Sequence, residues 1–166
     1  NSSPERNKTV RMLGRVIDYI AYPEDGEKLA NMMFECFLTE RYDIDNRAQT
    51  DTEYDNSLDD IKEAEAQETE EKNNEDKKLN QKEMLLHFLK RYPTENILYP
   101  KGGEINHRDV PKELLHSKIW SDFLSHIDLV RELLEFPDTI VEKLILYISE
   151  KLKFGREERA IAQKVA

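Results

Sequence analysis

The sequence lacks most of what would staple a fold or anchor it to a membrane. Cys36 is its only cysteine, so no disulfide can close within the chain, and a zinc site built on cysteine pairs is excluded. The four histidines, His87, His107, His116 and His126, are scattered rather than paired. His116 and His126 share one helical run but stand about 15 Å apart along its axis, too far to hold one metal. No run of about 20 apolar residues is present to cross a membrane, and no apolar signal-peptide core opens the chain. Without such a leader, the glycosylation-type triplets at Asn1 and Asn7 read as chance in a polar terminus. The expected compartment is intracellular, cytoplasmic or nuclear, with no membrane partner. The chain opens on Asn1 and closes inside a helical run, which reads as a segment of a longer protein.

Motifs for small-molecule chemistry are missing too. There is no Walker loop, dinucleotide fingerprint, nucleophile elbow or calcium loop, so no cofactor is expected. His107-Arg108-Asp109 resembles a kinase catalytic loop only superficially. The position five residues after Asp109 is Leu114 rather than Asn, and Asp122-Phe123 is followed by Leu124 rather than Gly. Ser117, Ser121 and Ser125 recur at helical spacing and read as a solvated strip. No pair of titratable groups suggests a catalytic site.

What is abundant is charge. Of the 166 residues 36% are charged and 38% hydrophobic, and the net charge is −10. Between Tyr42 and Lys78 there are 14 Asp or Glu against 5 Lys or Arg, a local net of −9, so the rest of the chain is nearly neutral. Residues 61–78 favour helix but have no apolar face to pack, which predicts disorder or a solvated helix. Thr50, Thr52 and Ser57 each have an acid three residues on, Glu53, Asp55 and Asp60. That pattern is similar to sites of acidophilic kinases of the casein kinase 2 type, and these three are the expected phosphorylation sites, although any acidic tract contains such matches.

Helical periodicity fills the remainder. Residues 9–22 carry Val10, Leu13, Val16, Ile17 and Ile20 on one stripe, with Gly14 offering room for a neighbouring helix. Pro23 ends this helix, and Asp25 or Gly26 caps a second one reaching Arg41. Asn80 and Glu83 form a capping-box start for a helix ending at Tyr92. Residues 97–105 suggest a small β-hairpin around Pro100-Lys101-Gly102-Gly103. Asp109 is the expected cap of one long helix with Leu115, Ile119, Phe123, Ile127, Val130 and Leu134 inward, widened by Trp120, Leu124 and Leu133. Pro137 stops it, Asp138 caps the next helix, Gly155 closes that one, and residues 156–166 form a last short helix.

The expected fold is all-α: five or six helices in a bundle or in stacked, solenoid-like hairpins. Residues 1–41 form a helical hairpin, 42–78 an acidic disordered insert, and 79–166 a helical part that packs with 1–41 as one domain. The favoured function is a non-catalytic protein–protein interaction or scaffold domain of a larger regulatory protein. Its partner is a helix or peptide held in a groove, with Tyr19, Tyr22, Trp120 and Tyr147 as the contact residues. The rival reading is a helical or winged-helix nucleic-acid-binding module. Its wing would be the hairpin, and its phosphate contacts would be Lys151, Lys153, Arg156, Arg159 and Lys164.

Overall fold

The computed structural model describes residues 3–42, 80–137 and 140–165. Most of the acidic stretch therefore lies outside the described residues, with Thr50, Thr52 and Ser57, as does Asp138. Every regular element among the described residues is helical, so the all-α expectation holds.

Helix α1 spans Pro4–Ala21 and starts earlier than the apolar stripe suggests, because Ser3 caps it by accepting a hydrogen bond from the Arg6 N–H and Pro4 fills the first turn. Its inner face is Thr9, Met12, Leu13, Val16 and Tyr19, with Ile20 half-buried. Ile17 turns partly to solvent instead. Thr9 sits inside because its hydroxyl donates to the Glu5 carbonyl at 3.0 Å, which removes its need for water. Gly14 has open space around it, so the close helix contact expected there does not occur.

That close contact occurs at Gly26. Asp25 caps helix α2 (Gly26–Cys36) through the N–H groups of Glu27 and Lys28. The start of α2 abuts the end of helix α3 (Gln81–Arg91) so closely that a Cβ on Gly26 would stand 1.7 Å from the Leu89 carbonyl oxygen. Helix α3 begins with the capping box read from Asn80 and Glu83.

The β-hairpin expected at 97–105 is absent. Ile97 and Leu98 are both buried, and neighbours in a strand cannot both face one core. They end a short helix, α4 (Thr94–Leu98), anchored where the Thr94 hydroxyl donates to the Pro23 carbonyl at 3.0 Å. The chain then makes two 3₁₀ turns, Lys101–Gly103 and His107–Asp109. The first is possible because Gly102 and Gly103 take φ of 81° and 90°.

The single long helix expected after Asp109 is three: α5 (Lys112–Leu115), α6 (Lys118–Ser125) and α7 (Ile127–Glu135). Side chains break it. Ser117 donates to the Leu114 carbonyl at 2.6 Å and accepts from the Trp120 N–H, so it is a buried cap rather than part of a solvated strip. Ser125 and His126 Nδ1 both bond the Asp122 carbonyl, and His126 ends α6 and begins α7. Asp109 is not a helix cap; it accepts from the Tyr92 hydroxyl at 2.8 Å.

Helix α8 (Val141–Lys151) follows, then α9 (Arg156–Val165). The left-handed residue between them is Lys153, with φ of 58°, and not Gly155. Gly155 stands just before α9, and its N–H donates to Glu158 Oε1 at 2.6 Å. These breaks raise the helix number above five or six. Helix α1 packs on α2 and α9, α2 on α3, and α3 on α6. One continuous core runs through Val16, Met33, Leu89, Ile119, Phe123 and Ile148. Each large side chain so buried contributes about 1.5–3 kcal/mol.

Where the described chain stops at Tyr42 and resumes at Asn80, its ends are held together. Gln81 is fully buried. Its Nε2 donates to the Tyr42 carbonyl at 2.7 Å, and its Oε1 accepts from the Ile119 N–H at 3.1 Å. The Tyr42 hydroxyl donates to Asp122 Oδ2 at 2.8 Å. Lys118 Nζ bonds the same oxygen at 3.0 Å and Glu40 at 3.1 Å.

Candidate functional site

The connection from α4 to α5 is irregular in backbone yet fixed at several points. Arg131 Nη1 donates to the Leu98 carbonyl at 2.6 Å, and its other terminal nitrogen pairs with Asp128. The Tyr99 hydroxyl donates to Glu135 at 2.9 Å. Desolvation and that hydrogen bond raise the Tyr99 phenol above its usual pKa. The Asn106 side chain accepts from the Arg108 N–H at 3.0 Å. Ordered loops carried on a rigid scaffold are where binding residues concentrate.

This connection forms one wall of a cleft of about 310 Å³, and α6 and α7 form the other. Ile97, Trp120 and Ile127 make an apolar floor. Trp120 is fixed by the Ser117 cap beneath it, by an edge-on contact with Phe88 at 5.6 Å, and by stacking on Phe123 at 5.5 Å. Leu124 is 43% exposed at the mouth, opposite half-buried Ile105. Glu104, His107, Asp128 and Arg131 supply the polar lining. An apolar floor with a few polar groups on stiff walls suits a small apolar group flanked by hydrogen-bonding atoms.

The residues expected to meet a partner are not gathered at one place. Tyr19 is wholly buried, its hydroxyl has no hydrogen-bond partner among the described residues, and burial pushes the phenol far up in pKa; it is a core residue. Trp120, 4% exposed, is also needed by the core, although it contributes to the cleft floor. Tyr22 is exposed with Lys28 Nζ 5.2 Å from its ring centre. Tyr147 stacks on Phe136 at 4.1 Å and donates to the Glu132 carbonyl. Apolar spacing alone puts Leu124 inward with its stripe, and the turn signal puts Ile105 in a hairpin. A signal for the cleft was the width of that stripe: Trp120, Leu124, Ile127 and Leu133 cover more of a helix than one core face needs.

Other candidates have been used structurally. Cys36 Sγ contacts the Met12 carbonyl at 3.7 Å, and burial pushes its thiol up to about 12. Such a thiol is unreactive at neutral pH. Among the described residues, no group of three or more His, Cys, Asp or Glu could hold a metal ion. No described helix is long and apolar enough to cross a membrane. The basic C-terminal run is largely engaged: Lys151 bonds Glu132 at 2.5 Å, Arg159 bonds the Phe154 carbonyl, and Arg156 shares its surface with Glu5, Glu157 and Glu158. Family models, curated proteins and solved structures give no match to the chain.

Proposed function

We propose that the chain is a non-catalytic helical interaction domain of a larger regulatory protein, and that it holds a helix or peptide segment of a protein partner. The observation that carries this reading is the cleft. Leu124 and Ile105 offer apolar surface at its mouth, and the walls are fixed by Ser117, Arg131 and Tyr99. A binding surface with locked walls loses little conformational entropy when occupied. In this reading the helices form a stack of pairs, and the α4–α5 connection is what the stack presents. The nucleic-acid reading has lost its wing, and the acids around Arg156 work against phosphate.

A photoreactive amino acid at position 124 of the full chain tests the reading in cells. Capture of a discrete protein from position 124, its loss on adding Ile105→Asp, and none from the same group at Ile17 would support it. Capture of nucleic acid, or equal capture from both positions, would overturn it.

A further inference from the structure

The cleft borders a stretch of backbone in which several groups bond none of the described residues. Between the two 3₁₀ turns the chain is extended at Glu104 (φ −139°, ψ 148°) and again at Asn106 (φ −66°, ψ 117°). The Glu104 carbonyl, both backbone groups of Ile105 and the Asn106 N–H bond to none of the described residues. In extended chain, the N–H and C=O of one residue point to the same edge, which is the two-bond unit of an antiparallel pair. Ile105, in no helix, turn or bend, carries a donor and an acceptor that bond none of the described residues, and Glu104 and Ile105 both line the cleft.

Size separates the two occupants that the proposed function allows. A volume of about 310 Å³ is at the small end of ligand pockets. It has room for one or two side chains, whereas a docked amphipathic helix needs a row of anchors at i, i+4 and i+7. Charge narrows the choice further. Asp128 is neutralised by Arg131, whereas Glu104 is exposed and has no ion pair among the described residues. A basic side chain beside the anchor would complement it.

Building on the proposed interaction role, we infer that the partner segment is an extended peptide that adds to the backbone at Ile105 as a short antiparallel strand. One large apolar side chain enters the cleft over Trp120 and Ile127, and a neighbouring Lys or Arg faces Glu104. The backbone bonds supply affinity that is tolerant of sequence, and the single pocket supplies selectivity for the anchor.

The test uses the full chain and a panel of capped pentapeptides, Lys-Val-X-Val-Lys, with X as Leu, Ile, Met, Phe or Trp. Each is compared with a copy N-methylated at X and with a stapled helical peptide carrying the same anchor. Binding is read from amide and methyl NMR shifts. The inference expects at least one extended peptide to bind, with shifts at Ile105, Asn106, Leu124 and Ile127, and slower exchange of the Ile105 amide. N-methylation should weaken it about tenfold, the equivalent of one lost hydrogen bond. Ile105→Pro, which removes the donor, should do the same if its spectrum stays native. Equal binding of the methylated copy, or preference for the helical peptide, overturns strand addition and leaves the interaction role standing. Absence of binding to all peptides at millimolar concentration overturns both.

Discussion

The side-chain amide of Gln81 and the main chain of Tyr42, 39 residues apart, are joined by a buried 2.7 Å hydrogen bond, and the same side chain holds the Ile119 N–H. One residue thus fastens the end of the first helical pair, the start of α3 and the first turn of α6.

Gln81→Leu keeps the bulk but removes the hydrogen bond to the Tyr42 carbonyl and leaves the Ile119 N–H without a partner among the described residues. The stranded buried N–H costs about 1–3 kcal/mol, so a loss of at least that size in urea unfolding is expected.

Two glycines make opposite predictions. Gly26→Ala forces a methyl group into the Leu89 carbonyl and should cost at least about 2 kcal/mol, since main chain must move. Gly14→Ala meets open space in mid-helix and should gain about 0.5–1 kcal/mol. Parallel denaturation curves check both.

Trp120 and Leu124 separate stability from binding. Trp120→Ala empties the centre of an aromatic cluster and is expected to cost about 3–5 kcal/mol. Leu124→Asp, at an exposed position, should change stability by less than about 0.5 kcal/mol and yet abolish peptide binding. Loss of stability on Leu124→Asp would place that side chain in the core instead.

A pH dependence follows from the contact of α1 with α9. A hydrogen bond to Glu157, and then its charge, raise the Glu5 carboxyl above the ordinary glutamate value. Since the folded pKa is the higher one, the contact stabilises fully below the unfolded value of about 4.3 and is lost as pH rises through the folded value. Glu5→Gln should therefore raise the melting temperature at neutral pH and not in acid. The carboxyl is exposed, so added salt should shrink the difference.

The fold class and most helix positions were legible in the sequence, because apolar spacing and caps such as Asn80 with Glu83, or Asp25, act locally. The breaks at Ser117 and His126 were not. There the apolar spacing continues unbroken, while side-chain bonds to the main chain turn the helix, and those bonds depend on which rotamer packing selects. The hairpin at 97–105 failed for a related reason: its flanking residues obey burial against α7, a distant contact. The cleft was the least legible feature. It arises where α6 and α7 meet a loop, and only Trp120 of the expected contact residues reaches it. Tyr19 shows the limit of composition as a guide, for a polar tip did not keep it at the surface.

Because α1 packs directly against α9, tension applied across residues 3 and 165 would reach that contact before the core behind it. Helix α9 contributes only small Ala162 as a fully buried side chain, so this seam is a mechanical weak link. Under load the last helix would peel away first, leaving the cleft and the Gln81 bond unstrained.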